Sequence, residues 1–271
     1  MIDPSLPSNQ ENLVNHNYTT DSKVKILLCL NYDIYCNIAL NKLLPFLIKN
    51  SNLGIIFSHK IGSKTNKLLD QLKSFESNCL KNQPNHQSFK QLISQNKITL
   101  FNTKDINSNQ SQQIFKNHAD LVISIRFGQI FKNNIIQIPK LGIINLHSGI
   151  LPHYRGISPT LHAINNRQKH YGSTLHYIQK DTIDTGDIIK ISKLKYNFSR
   201  SLFYNILQIY LHNTNDITNA VNSIIKSGST NAHPQDHKLA KYFSTPSLND
   251  IQNFIEKFGH LYEQRDASID C

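Results

Sequence analysis

Residues 141–187 read LGIINLHSGILPHYRGISPTLHAINNRQKHYGSTLHYIQKDTIDTGD, and the reading of this stretch decides the fold. Leu141 to Leu146 is an apolar run too short for a helix, bounded by Gly142 and by His147-Ser148-Gly149. It reads as a buried strand that ends in a polar turn. Asn145 and His147 stand two apart, so the period-two geometry of a strand turns both side chains to one face at its end. An amide donor and a titratable imidazole then look into the same space. Pro152, Arg155, Gly156 and Pro159 prescribe an extended loop before a short helical pattern, Thr160 to Asn166. A second β-like run, Ser173 to Ile178, leads to the tight polar turn Asp184-Thr185-Gly186-Asp187. The stretch therefore supplies an amide, an imidazole, a guanidinium and a carboxylate from strand ends and loops, where open α/β sheets place their sites.

Toward the N-terminus, Lys23 to Leu30 reads as a buried strand and Asp33 to Lys49 as a helix that Pro45 is expected to end or kink. Strands at Leu53–Ser58, Ile98–Phe101 and Leu121–Ile125 alternate with helices at Lys64–Leu80, Phe89–Ile93 and Ser111–His118. Such alternation implies right-handed crossovers and an α/β fold: a Rossmann-like, twisted, mainly parallel sheet flanked by helices. The first strand runs into Asn31-Tyr32-Asp33 without a glycine, which argues against a glycine-rich pyrophosphate cradle at that turn. Residues 1–22 are polar and aperiodic and are expected to form a flexible extension. Beyond Asp187, Ile188 to Leu194 reads as a strand and Ser201 to Ile225 as a long helix broken near Thr214 and ended by Gly228. Leu248 to Phe258 is a short amphipathic stretch.

A chain of 271 residues can bury a sizeable core. Its formal charge of +11 favours polyanionic partners such as nucleotides, tRNA or phosphorylated ligands, although a bias toward Lys accounts for much of it. Four cysteines without C-x-x-C spacing read as reduced thiols, with Cys29 a small buried hydrophobe. No apolar run approaches the ~20 residues that span a bilayer, and no basic-then-apolar leader is visible. A cytoplasmic setting without a membrane partner is the expectation.

The string N-x-H-x-x-x-L-P-x-x-R-G, here Asn145, His147, Leu151, Pro152, Arg155 and Gly156, followed by Asp184 to Asp187, resembles the signature of the formyltransferases that use 10-formyltetrahydrofolate. Methionyl-tRNA, glycinamide ribonucleotide and sugar-nucleotide formyltransferases belong to that family. The resemblance is strong over roughly residues 120–189 and weak on either side. It implies a formyltransferase enzyme with no metal and with Asn145, His147 and Asp184 as the catalytic set. Asn145 and His147 would meet the oxyanion, and Asp184 would orient the imidazole. It further implies a folate pocket at Phe127, Gln129, Ile130, Phe131 and Asp181, and an amine pocket at Ser148, Gly149 and Arg155. The division implied is an extension over 1–22, a catalytic domain over 23–198 and a mostly helical C-terminal extension over 199–271.

Alone, each residue has a bland reading. A strand-end histidine is commonly structural, and the chain has 13 histidines. Asn145 could cap a turn, and D-T-G-D is an ordinary turn sequence. Their co-occurrence in family order favours chemistry. Phe127 and Ile130 also read as simple core, and Arg155 as a loop tie. His162 and His176 read as packing or substrate-side residues. The spacing from Gly172 to Asp184 is one residue longer than in such relatives, which leaves Asp181 as a rival carboxylate; Asp184 is preferred because Thr185-Gly186-Asp187 follow it.

The expected reaction is formyl transfer from 10-formyltetrahydrofolate to a primary amine on a small, phosphate-bearing substrate, with an amino-sugar nucleotide first. Methionyl-tRNA is the second acceptor, opposed by a helical-looking tail where that branch carries a tRNA-gripping β-barrel. Hydrolysis of the folate and silent folate binding come after these. The absent glycine-rich turn counts against the glycinamide ribonucleotide branch. The segment after Leu194 stays open between a homodimer interface, a substrate lid and packing.

Overall fold

The computed structural model describes residues 23–59, 66–83 and 85–268. The expectations for residues 1–22 and for Cys271 lie outside these. The elements run β1 (Val24–Asn31), α1 (Ile34–Asn50), β2 (Ser51–Ser58), α2 (Lys67–Asn82), α3 (Phe89–Gln95), β3 (Thr99–Phe101), α4 (Asn109–His118), β4 (Leu121–Ile125) and α5 (Asn133–Ile136). They continue with β5 (Ile143–His147), β6 (Arg155–Gly156), α6 (Pro159–Asn165), β7 (His170–Tyr177), β8 (Ile188–Lys195), α7 (Leu202–His212), α8 (Thr214–Ser227), β9 (Tyr242–Phe243) and α9 (Leu248–Phe258).

Seven strands form one sheet in the order β3-β2-β1-β4-β5-β7-β8. The first five are parallel, as the alternation of strands and helices requires, whereas β7 and β8 are antiparallel to their neighbours. Antiparallel pairing lets β7 connect to β8 through the loop of residues 178–187 without a crossover helix. That loop carries Asp184.

β1 is central and buried on both faces. Its alternating side chains divide between two cores: Ile26, Leu28 and Leu30 join α1, α7 and α8, while Leu27 and Cys29 pack with Phe115, Ile135 and Val122 on the opposite face. Cys29 is a buried hydrophobe, as read. Helix α1 does not end at Pro45. The proline lies on the exposed face, and Leu40, Leu43, Leu44 and Leu47 bury the other face firmly enough to carry the helix past one missing N–H donor. The break near Thr214 is real, separating α7 from α8, and Gly228 caps α8.

Residues after 199 share the larger core with β1 and α1: Phe203, Tyr210, Ile217, Val221 and Phe254 are all buried in it. The segment also supplies β9, which pairs in parallel with β6. Two-residue strands carry no periodicity, and the sequence reading did not find this pair. No helix among the described residues is long and apolar enough to cross a membrane.

Candidate active site

A cavity of about 590 Å³ opens where β4 and β5 end, and is closed by the start of α6 and the loop between β7 and β8. Its size is that of a small-molecule site. Asn145 and His147 both reach it from β5, two positions apart, as strand geometry requires. The loop after β7 brings Asp184 to them. Its Oδ2 lies 3.5 Å from His147 Nδ1, and its Oδ1 lies 3.5 Å from His176 Nε2. Its Oδ2 also accepts the Gly156 N–H at 2.8 Å.

The hydrogen bonds assign both imidazole tautomers. His147 Nε2 lies 2.7 Å from the Tyr154 carbonyl, which can only accept, so Nε2 carries a proton and Nδ1 is the position free to exchange one. His176 Nδ1 lies 2.8 Å from the Tyr177 carbonyl and is protonated by the same logic. Nε2 of the neutral His176 ring then accepts from Asn145 Nδ2 at 3.1 Å. Asn145 keeps its second amide hydrogen. Burial by itself would raise the Asp184 carboxyl, but the His147 imidazole, once protonated at Nδ1, and the Gly156 amide outweigh it and hold the carboxyl down at about 2.

The turn that bears Asp184 is latched from the C-terminal segment. Gln235 Nε2 donates to the carbonyls of Asp184 (2.9 Å) and Gly186 (2.7 Å), while its Oε1 accepts from Arg155 Nε (3.2 Å) and Nη2 (2.6 Å). Gly156 must be glycine. Its φ is +94°, and a Cβ there would lie 2.1 Å from the Phe243 carbonyl oxygen of β9. Three non-glycine residues of the cavity, Arg126, Ser158 and Asp184, hold left-handed backbone with φ of 53°, 52° and 54°. Such strain gathers where a site over-determines the chain.

Arg126 closes another side. Its Nε donates to Asp33 Oδ2 at 2.8 Å, and its guanidinium lies 4.5 Å from the centre of the Tyr35 ring. Asp33 in turn caps α1 through the Cys36 amide. The Tyr35 hydroxyl donates to Glu76 at 2.8 Å. Burial pushes the Glu76 carboxyl up to about 7 against the pull of Arg126 and the Tyr35 bond.

The other residues expected at the site divide by position. Phe127, Gln129, Ile130, Phe131, Asp181 and Ser148 line the cavity. Phe127 stacks on buried Phe131 at 5.4 Å, so part of the wall is also core, whereas Ile130 is 53% exposed and is not core. Gln129 is tied by its Oε1 to the Ile106 amide (2.9 Å). Gly149 does not line the cavity but sits against His147: a Cβ would lie 2.7 Å from its Nε2 and 2.6 Å from the Tyr154 oxygen. Arg155 is buried and committed to Gln235 and to His237 Nδ1 (2.9 Å). Asp184, not Asp181, faces the imidazoles, and β7 absorbs an irregularity in its pairing with β8 between Leu175 and His176.

His176, read only as packing or substrate-side, lies against Asn145 and Asp184, and Gln235, which the sequence reading did not single out, latches the turn. His176 had a signal: Thr174-x-His176 repeats the period of Asn145-x-His147, and β5 and β7 pair Asn145 directly with His176. Gln235 had none.

A formyl transferase family model matches residues 66–197, from the start of α2 to just beyond β8. Over these residues the chain is similar to that family. Among curated relatives, the methionyl-tRNA formyltransferase of Fusobacterium nucleatum is 28% identical over 183 residues, 63% of this chain and 58% of that protein. That of Methylacidiphilum infernorum is 42% identical over 98 residues, 36% of this chain and 30% of that protein. The chain thus spans about half or less of these relatives. Solved structures share the fold at lower identity. An N-formyltransferase from Helicobacter canadensis, complexed with folinic acid and dTDP-3-aminofucose, superposes with a TM-score of 0.58 at 18% identity, covering 87% of this chain and 80% of that one. A 4-N formyltransferase from Francisella tularensis gives 0.56 at 17%, covering 90% and 85%.

Proposed function

We propose that this chain transfers the formyl group of 10-formyltetrahydrofolate to a primary amine on a small, phosphate-bearing substrate, with an amino-sugar nucleotide as the acceptor. The observation that carries the reading is the meeting of Asn145, His147 and Asp184 at one cavity, with both imidazole tautomers fixed by backbone carbonyls. The cavity fits the donor: an apolar wall of Phe127, Ile130 and Phe131 suits the face of a planar pterin, and polar groups at Asp181 and the backbone suit its edge.

When bound, the donor supplies an activated formyl carbonyl. Asn145 has one amide hydrogen to give to the oxygen as negative charge grows there, the other being held by His176. His147 takes the amine's proton at Nδ1, since Nε2 is already protonated toward Tyr154. Asp184 stabilises the resulting imidazolium from 3.5 Å and keeps its own charge, because its carboxyl is held so far down. As the bond between the formyl carbon and the folate nitrogen breaks, His147 returns the proton to that nitrogen, while Asp184 stays ionised beside it.

The Helicobacter canadensis neighbour, complexed with dTDP-3-aminofucose, supplies the precedent for the acceptor. A second reading, formylation of methionyl-tRNA, is favoured by the curated relatives and by the charge of +11. Purified protein with 10-formyltetrahydrofolate tests both. Folate release that requires an amino-sugar nucleotide supports the proposal, release that requires charged tRNA replaces the acceptor, and release in buffer alone makes the protein a hydrolase.

A further inference from the structure

Two helices outside the catalytic motif wall one end of the active-site cavity. α2 lines it with Leu69, Leu72, Lys73 and Glu76, and α7 with Leu202, Ile206 and Tyr210, each set at helical spacing. Four polar groups meet at this end. The Tyr35 hydroxyl donates to Glu76 Oε1 at 2.8 Å, the Tyr35 and Tyr210 rings lie 5.5 Å apart, and the Arg126 guanidinium lies 4.5 Å from the first ring and 5.9 Å from the second. The cluster adjoins the catalytic pair. β4 and β5 pair Ile125 with Leu146, so Arg126 and His147 follow at the same level on neighbouring strands.

Two atoms of the cluster have bonding capacity to spare. Glu76 Oε2 makes no hydrogen bond among the described residues, Tyr35 being held at Oε1. The Tyr210 hydroxyl is buried on the cavity wall and forms no hydrogen bond among the described residues, although Arg126 and Ser148 are near it.

Formyl transfer to an amine leaves one proton without a destination. A primary amine is mainly an ammonium at neutral pH, and becoming a formamide takes two protons from its nitrogen. The first must go before the lone pair can form the bond to the formyl carbon. The second passes through His147 Nδ1 to the folate nitrogen as the donor's carbon–nitrogen bond breaks. His147 cannot take both, because Nε2 is held by the Tyr154 carbonyl. Three carboxyls among the described residues line the cavity. Asp184, held at about 2, is too weak a base, and Asp181 is exposed on the loop between β7 and β8.

We propose that Glu76 is a second base, its Oε2 taking the first proton from the acceptor ammonium while the Tyr210 oxygen accepts another N–H of the same nitrogen. The inference rests on the reading of the reaction as formyl transfer to an amine, whatever group carries that amine. The titratable and charged groups around Glu76 are Asp33 and Tyr35 at the start of α1, Arg126 after β4, Tyr210 of α7, and Lys73 and Cys79 on its own helix. Burial raises the carboxyl to about 7 against the pull of Arg126 and the Tyr35 bond, so the carboxylate is present at neutral pH and basic enough to accept a proton. The Arg126 cation also disfavours an ammonium beside it. Glu76 gives its proton to solvent once the product has left.

The test is kcat/KM for dTDP-3-aminofucose and for methionyl-tRNA, measured on the full chain and on Glu76→Gln from pH 6 to 10 with 10-formyltetrahydrofolate saturating. The variant lacks the base and must wait for free amine. Its deficit should be about 10²-fold and level on the acid side of about 7, then shrink about tenfold per pH unit above it. His147 titrates in both proteins and cancels from the ratio. Tyr35→Phe removes a bond that pulls the Glu76 carboxyl down, so the acid limb of its profile should move to higher pH. Both variants should keep the wild-type circular dichroism and the wild-type affinity for 5-formyltetrahydrofolate. A deficit constant across pH, as a structural role would give, or an acid limb unmoved in Tyr35→Phe, overturns the inference. The two readings fail separately: wild type that formylates neither acceptor removes the enzymatic reading and this one with it, whereas formylation by wild type with a constant deficit in Glu76→Gln removes this one alone.

Discussion

Asn145 and His176 face each other from directly paired positions on β5 and β7, the amide nitrogen donating to Nε2 at 3.1 Å. The orientation of the proposed oxyanion donor is therefore set by a residue outside the family signature. That relationship makes His176 a positioning residue.

Replacing it tests this. His176→Phe keeps a ring in β7 but frees the Asn145 amide, and turnover should fall toward the ~10²–10³-fold loss of an oxyanion donor. The donor KM should stay near wild type, and Asn145→Ala in the same background should add little, because both changes remove one arrangement. Additive losses in steady-state kinetics would separate the two residues.

The relay predicts a sharper loss. His147→Asn and Asp184→Asn should each nearly abolish turnover while 5-formyltetrahydrofolate still binds, since one removes the proton acceptor and the other the charge that stabilises it. A near-native rate in either variant would strike that residue from the mechanism.

Gln235 connects the C-terminal segment to the site. Gln235→Ala takes the side-chain donor from the Asp184 and Gly186 carbonyls and leaves Arg155 with His237 alone, which should cost about 1–3 kcal/mol per unsatisfied group and lower the thermal midpoint. Arg155→Ala should mimic it by orphaning Gln235 Oε1. If Arg155 instead met the acceptor directly, its substitution would raise the acceptor KM with the thermal midpoint unchanged.

Two carboxyls give stability opposite dependences on pH. Asp184, held at about 2 in the fold, titrates near 3.9 when unfolded. Its contribution is complete above that unfolded value and is lost as pH falls toward about 2. Glu76, raised to about 7, binds its proton more tightly folded than unfolded, so stability should decline as pH rises from the ordinary carboxylate range through about 7. Thermal melts of Glu76→Gln from pH 4 to 8 should show a shallower decline than wild type. An unchanged slope would mean that Glu76 is not protonated in the fold at mildly acid pH.

Much of this protein is written locally. The apolar run of β1 is buried on both faces because a central parallel strand meets helices on either side, and a five-residue apolar string, Ile26 to Leu30, announces that without any tertiary knowledge. Asn145 and His147 share a face because strand geometry allows nothing else. Phe127 and Phe131 line the cavity next to β4, where the chain order puts them. Pro45 shows the opposite case, in which burial of one helix face outweighs a local breaker.

What the sequence by itself determined was the alternation of elements, the two faces of each strand and the identity of the groups at the strand ends, all set by periods of two and 3.6 residues. Only the tertiary structure decided which nitrogen of each imidazole is free, that His176 holds Asn145, that Arg155 turns to Gln235, and that Asp184 rather than Asp181 meets the rings. Those outcomes depend on contacts between residues tens of positions apart, and on a left-handed turn at Asp184 held in place by a glutamine from the far end of the chain. No local period encodes a distance between two loops.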